Sequence, residues 1–166
     1  MAGRITKADA QLKPDPKFGD LVLARFINCM MLGGRKATAF RVVYNAFDEI
    51  QKRLDDGKAP DLPPTALEVF HLALDNVRPQ VEVRSKRVGG ANYQVPMQLN
   101  RRRQQSLTFR WIIVAAREER GKQIHMRLAK ELWDAAHNEG KAVTTRENTH
   151  RMAEANRAFA HFGRSR

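Results

Sequence analysis

The 166-residue sequence predicts an all-α protein, a bundle of about six helices from which one basic β-hairpin protrudes. Two observations carry this prediction. Apolar residues recur with helical spacing in six stretches, which is typical of amphipathic helices. Only residues 80–98 change to an alternation of apolar and polar side chains, which is typical of paired strands. The length and the 42% of hydrophobic residues are sufficient for one core.

The N-terminal part of the chain predicts an arm and two helices. Residues 1–19 hold two prolines, four cations and little periodicity, and we expect an extended basic arm ahead of one helical domain over 20–166. Asp20 is placed to cap a first helix that ends at Gly33-Gly34, because glycine commonly follows the last helical turn. Within that helix, Cys29 is expected to be a core thiol. A second amphipathic helix follows the glycine pair.

A polar, proline-rich loop over 55–64 separates the second helix from the third. Thr65 and Glu68 have capping-box spacing at the start of the third helix, and Pro79 ends it. The hairpin then follows at about 80–98, with its turn predicted over residues 89–92.

The C-terminal half predicts three more helices. Asn100 caps residues 101–117, and Gly140 is expected to stop a helix over 122–139. Thr144 and Glu147 have capping-box spacing and predict a last helix over 145–160. The predicted buried faces contain Leu107, Trp111, Val114, Met126, Ala129, Leu132, Ala136, Met152, Ala155 and Phe159.

Positive charge is concentrated in one segment. The net charge is +12 with a pI near 10.5, and residues 78–110 carry eight basic side chains against one acidic side chain. A charge this large indicates a nucleic acid or an anionic membrane surface as partner. Seven of the eight cations are arginines, which can donate two hydrogen bonds to one phosphate, so RNA or DNA is favoured.

Several classes of function are disfavoured. One cysteine excludes an internal disulfide framework and a cysteine-based zinc site, and the five histidines form no close ligand pair. Glu118-Glu119 is interpreted as a corner that forms salt bridges with Arg117, Arg120 and Lys122. Neither an apolar stretch of spanning length nor a secretory signal is evident. We therefore expect a soluble, non-enzymatic protein of a reducing compartment, without metal, cofactor, membrane or small-molecule substrate.

Three groups of cations are candidate phosphate ligands. The hairpin offers Arg84, Lys86 and Arg87 together with Tyr93, in a ribbon that fits a nucleic-acid groove. Arg101-Arg102-Arg103 opens a helix, where the helix dipole disfavours cations and favours a bound phosphate. Arg35-Lys36 follows the glycine corner. The alternatives are a solvated hairpin, a hydrated first turn and a simple helix start.

Three segments resemble one known family. Val83-Arg84-Ser85-Lys86-Arg87-Val88-Gly89-Gly90-Ala91-Asn92-Tyr93-Gln94-Val95-Pro96, the run Arg101-Arg102-Arg103-Gln104-Gln105-Ser106-Leu107, and residues 151–161 are similar to small-subunit ribosomal protein seven in its bacterial form. The resemblance covers roughly residues 13–162. It implies a helix bundle with a β-ribbon arm that is a primary binder of the 3′ major domain of small-subunit (16S) ribosomal RNA. It also implies a protein that nucleates assembly of the subunit head in the cytoplasmic ribosome.

The resemblance also implies partners and contact residues. The family lies at the subunit interface near the exit-site tRNA and the messenger path, beside small-subunit ribosomal proteins nine and eleven. By position, the residues that the resemblance places on ribosomal RNA are Arg4, Lys7, Arg35, Lys36, Arg78, Arg84, Lys86, Arg87, Arg101, Arg102, Arg103 and Arg110. The residues that it places near the exit-site tRNA are those of the hairpin tip, Gly89, Gly90, Ala91, Asn92 and Tyr93.

Two other functions are compatible with the charge pattern. A DNA-binding architectural or regulatory protein would use the hairpin as a ribbon in a groove. A nuclease or RNA-modifying enzyme would need clustered carboxylates or histidines, which the sequence does not offer.

Overall fold

The computed structural model describes residues 11–57 and 61–163 of the chain. Within them lie six α-helices and one antiparallel hairpin, which confirms the predicted fold class. In chain order the elements are α1 (Leu21–Met30), α2 (Lys36–Asp55), α3 (Ala66–Val77), β1 (Val81–Val88), β2 (Ala91–Gln98), α4 (Arg101–Glu118), α5 (Ile124–Ala136), α6 (Gly140–Ala155) and a C-terminal 3-10 helix (Arg157–Gly163). None of the described helices combines the length and the apolar character needed to cross a membrane.

Three helices begin where the sequence predicts, because a polar side chain caps each one. Asp20 Oδ1 accepts a hydrogen bond from the backbone N of Leu23 at 2.5 Å. Thr65 Oγ1 accepts from the backbone N of Glu68 at 3.3 Å, and its hydroxyl donates to the Glu68 carboxylate. The Asn100 side chain accepts from the backbone N of Arg103 at 2.9 Å. Each contact satisfies a backbone donor that has no partner within its own helix.

Aromatic rings from four helices meet in the core. Phe26 of α1 lies edge-on to Phe70 of α3 and to Phe109 of α4, with ring centroids 5.2 and 5.3 Å apart. Phe47 of α2 packs on Phe70 at 5.6 Å. All four rings are fully buried. Apolar residues of α5 complete this core, in which α1 packs against α4.

The predicted buried faces are wrong at five positions. Val114, Met126, Met152 and Ala155 are exposed, as is Cys29, which is therefore not a core thiol. On α4 the buried face follows Phe109, Ile112, Ile113 and Ala116, which rotates Val114 to the outside. Residues 111–116 are all apolar, so the sequence of α4 is compatible with more than one buried face. Packing against α5 determines which face is buried.

The start of α6 also differs from the prediction. The helix begins at Gly140, and Thr144 lies inside it, where its hydroxyl donates to the Gly140 carbonyl. Gly140 has φ +91°, and an added Cβ would lie 3.1 Å from Glu131 Oε1. That buried carboxylate accepts from the backbone N of Ala142 at 2.8 Å and so replaces a local cap. The left-handed residue that follows α5 is Asn138, with φ +64°.

The described end of the predicted arm is folded onto α2. Asp15 is buried, and its carboxylate accepts from the backbone N of Lys17 and of Phe18. It also accepts from the Tyr44 hydroxyl at 2.8 Å. Residues 15–19 thus belong to the helical body and do not extend away from it. Arg4 and Lys7 lie outside the described residues.

Candidate nucleic-acid interface

The hairpin has two chemically different faces. Its register pairs Val81 with Gln98 and continues to Val88 with Ala91, so that the turn is only Gly89-Gly90, shorter than predicted. Both glycines have positive φ, which a two-residue hairpin turn of this kind requires. Because side chains alternate along a strand, the inner face carries Glu82, Arg84, Lys86, Tyr93, Val95 and Met97, and the outer face carries Ser85, Arg87, Asn92 and Gln94. The predicted hairpin cations therefore do not share one face.

The inner face is clamped to the body by one carboxylate. Glu82 is buried, and its Oε2 accepts from both Nε and Nη2 of Arg103 at 2.9 Å. Its Oε1 pairs with Arg84. One negative charge thus orients two guanidinium groups, and the three groups together keep a net positive charge. The contact between Glu82 and Arg103 holds the base of the hairpin against the start of α4.

Four arginines meet in an open cleft beside this clamp. The cleft has a volume of about 600 Å³ and is lined by Arg25, Arg78, Arg101, Arg102, Gln104 and Gln105. Three of the four arginines were predicted from the sequence. In the structure, α1, the residue that follows α3 and the start of α4 each supply part of the lining. The cleft is therefore formed only when the bundle folds.

The predicted set of candidate residues missed Arg25. It projects from α1, and its Nη1 donates to Gln105 Oε1 of α4 at 2.8 Å, which ties two walls of the cleft together. The sequence shows only that Arg25 lies on the less apolar side of α1. Arg78 pairs with Asp75 at 2.6 Å, but both side chains are more than half exposed, so solvent screens this pair.

The other predicted cations lie elsewhere on the surface. Arg35 and Lys36 are exposed at the corner between α1 and α2, and Arg35 lines a different, largely apolar pocket with Met30 and Leu32. Arg110 is exposed on α4. Desolvation raises the pKa of the nearby Cys29 thiol, while the charges of Arg25 and Arg110 act in the opposite direction. Arg110 therefore lies near α1, but it does not line the cleft.

Three arginines outside the segment 78–110 have structural roles. Arg117 donates to the Met30 carbonyl at 2.9 Å, Arg127 to the carbonyls of Arg117 and Glu119, and Arg146 to the carbonyl of Asn76. These contacts satisfy the carbonyls of helix ends. These three arginines thus stabilise the fold, whereas Arg78, Arg101 and Arg102 at the cleft are exposed.

The acidic corner at the end of α4 forms a salt bridge, as predicted, but its partner is Lys130 and not one of the neighbouring cations in the sequence. Glu119 pairs with Lys130 of α5 at 3.0 Å, and this contact lowers the pKa of the Glu119 carboxyl. Over the described ranges, no group of three or more His, Cys, Asp or Glu side chains is placed to hold a metal ion. The geometry that stands out is the arginine cleft with the adjoining hairpin, which suits a polyanion.

Known proteins are similar in sequence to this chain over almost all of its length. The family described as ribosomal protein S7p/S5e matches residues 2–157. The small ribosomal subunit protein uS7 of Rhodopirellula baltica is 54% identical over 160 residues, covering 96% of this chain and 98% of that protein. The uS7 proteins of Methylobacterium radiotolerans and Agrobacterium fabrum are 49% and 51% identical, each over 98% of this chain and 99% of the relative.

Proposed function

The chain belongs to the ribosomal protein S7p/S5e family, and we propose that it binds the 3′ major domain of small-subunit (16S) ribosomal RNA as a primary binder and nucleates assembly of the subunit head. As a small ribosomal subunit protein it is a structural component of the ribosome and not an enzyme. The finer part of the proposal concerns which surface meets the RNA.

The arginine cleft is the observation that carries this proposal. Arg25, Arg78, Arg101 and Arg102 come from three parts of the chain and line one open pocket. Like charges repel one another, so such a convergence is stable only when solvent or a bound anion screens it. A phosphate group fits the fork of donors that each guanidinium presents.

The hairpin extends this surface with hydrogen-bonding groups. Its outer face presents Arg87 with Ser85, Asn92 and Gln94, all exposed. Uncharged polar side chains of this kind can contact the ribose 2′-hydroxyls that line the wide, shallow minor groove of RNA. We therefore expect phosphate contacts from the cleft and shape-dependent contacts from the hairpin.

The hairpin tip is proposed to lie near the exit-site tRNA, with small-subunit ribosomal proteins nine and eleven as neighbours. The family resemblance supports these partners, and the exposure of Gly89, Gly90, Ala91 and Asn92 is compatible with a tRNA contact. Tyr93 is different, because its ring is turned towards the C-terminal 3-10 helix.

The proposal is tested by removing two cations of the cleft. Arg101→Ala/Arg102→Ala should weaken binding to a transcript of the 3′ major domain by roughly 10- to 100-fold, since a charge-assisted contact contributes about 1.5–3 kcal/mol and solvent screens part of it. The slope of log K against log salt should fall by about two, one for each lost phosphate contact. Filter binding over a series of salt concentrations measures both quantities.

A matched control removes the same charge elsewhere. Arg120 and Arg151 are exposed and lie outside the segment 78–110, so Arg120→Ala/Arg151→Ala should leave affinity and slope close to those of the unchanged protein. Equal losses in the two double variants would refute the assignment of the cleft. Equal affinity for duplex DNA of the same sequence would favour the DNA-binding alternative.

A further inference from the structure

The C-terminal 3-10 helix packs against the inner face of the hairpin near its tip. The Tyr93 ring packs against both Phe159 and Phe162, with ring centroids 5.1 and 5.3 Å away. The two phenylalanine rings stack at 6.2 Å. Lys86, which pairs with Tyr93 across the hairpin, donates from Nζ to the Phe162 carbonyl at 2.7 Å. Both strands of the hairpin are therefore held by the same short segment.

Each partner in this contact is weakly stable alone. A single two-stranded hairpin is marginal in water, and a 3-10 helix of this length is stabilised mainly by what it packs against. The base of the hairpin is fixed by Glu82 and by the buried Val95. The aromatic contact lies two residues closer to the tip than Val95, at a point where the base no longer restrains the strands.

We propose that Phe159 and Phe162 are positioning residues that fix the direction of the hairpin relative to the arginine cleft. The inference rests on the proposed function for its binding consequence, but not for its structural part. A hairpin whose position is fixed before it binds RNA loses less conformational freedom on binding. Its affinity for RNA is therefore higher than that of a mobile hairpin with the same cations. The two rings contribute in this way without contacting RNA themselves.

Loss of a positioning residue and loss of a cation should have different effects on the salt dependence of RNA binding. Phe159→Ala/Phe162→Ala leaves every cation in place, so the number of neutralised phosphates and the salt slope should stay unchanged. Affinity should nevertheless fall roughly three- to tenfold, because the hairpin must now be ordered during binding. Lowered affinity at constant slope thus separates these residues from the arginines of the cleft.

The structural part is tested by hydrogen exchange on the full-length protein without RNA. In the double alanine variant, backbone amides between Lys86 and Tyr93 should exchange roughly tenfold faster, while those of α2 and α4 keep their rates. Phe159→Leu/Phe162→Leu retains apolar contact with Tyr93 and should recover most of the protection. Met152→Ala, which removes an exposed side chain from α6, is the control and should change neither exchange nor affinity.

The outcomes separate this inference from the proposed function. Unchanged exchange at the hairpin in the double variant would overturn the positioning role, and so would faster exchange without loss of affinity. Failure of the unchanged protein to bind the transcript would instead refute the proposed function, while faster exchange in the variant would still show that Phe159 and Phe162 hold the hairpin. If the double variant unfolds, Phe162→Ala alone provides the same comparison with a smaller expected effect.

Discussion

Glu82 is the side chain whose removal should most clearly separate the hairpin from the helical body. It is the only acidic residue between positions 78 and 110, and it is the shared partner of Arg84 and Arg103. Glu82→Gln keeps the volume of the side chain and one oxygen acceptor, but it removes the charge and turns an amide group towards a guanidinium. The clamp at the hairpin base is therefore weakened without leaving a cavity.

The size of the effect follows from the burial of the three groups. Breaking a fully buried ion pair costs about 3–5 kcal/mol, whereas exposed pairs contribute about 0–1 kcal/mol. The side chain of Glu82 is 9% exposed, that of Arg103 is 37% exposed and that of Arg84 is 53% exposed. Because the two cations remain in contact with water, we expect an intermediate loss of about 2 kcal/mol. For a chain of this size that lowers the melting temperature by roughly 4–8 °C.

Thermal unfolding followed by circular dichroism measures this loss, with Glu154→Gln as the control. Glu154 pairs with Arg157 at 3.5 Å, and both side chains are at least three-quarters exposed, so this variant should unfold like the unchanged protein. Hydrogen exchange should place the weakening of Glu82→Gln at Val81–Val88 and Ala91–Gln98. An unchanged melting temperature, or an equal loss in the control, would show that Glu82 does not fasten the hairpin.

Two further predictions concern titratable groups in the body of the protein. Desolvation and the Asp15 carboxylate raise the pKa of Tyr44 to about 12, so the stability from this contact is present below the ordinary tyrosine pKa and is lost as the pH rises through about 12. In Tyr93→Phe, which leaves Tyr44 as the only tyrosine, tyrosinate absorbance should have its midpoint at about 12, and adding Asp15→Asn should lower it; an unchanged midpoint would contradict the contact. Desolvation, followed by the charge of Arg146, lowers the pKa of His150, whose Nε2 accepts from the backbone N of Gln80. Its contribution is therefore present above the ordinary histidine pKa and is lost as the pH falls through the folded-state pKa; denaturant unfolding between about pH 7 and pH 5 should show a larger loss for the unchanged protein than for His150→Asn.

Local signals in the sequence were sufficient for most of the fold. Asp20, Thr65 and Asn100 cap the helices that they were predicted to cap, because a cap depends on residues within one turn. The start of α6 could not be found in this way, since its cap comes from Glu131 on another helix. Glu131 lies eleven residues before Ala142, so this capping contact corresponds to no short sequence motif. The capping-box spacing of Thr144 and Glu147 therefore led to a predicted helix start that lies too far along the chain.

The candidate site was predictable in composition but not in arrangement. The charge count identified the segment 78–110, and the structure brings Arg78, Arg101 and Arg102 into one cleft. Arg25 was missed because its place depends on how α1 packs against α4. The assignment of Tyr93 to the tip surface is less well supported than the sequence indicated, because the ring packs on the C-terminal 3-10 helix.

The alternation of the hairpin divides its cations into two groups with different physical roles. Arg84 and Lys86 face inward, where Glu82 and the Phe162 carbonyl fix their positions, and Arg87 faces outward. One carboxylate between Arg84 and Arg103 orients both groups but cancels only one of their charges, so the clamp still attracts phosphate. We expect a phosphate group bound at the cleft to reduce the repulsion among the arginines that line it. The strand face on which each hairpin cation lies therefore separates Arg84 and Lys86, which contact the rest of the protein, from Arg87, which is exposed.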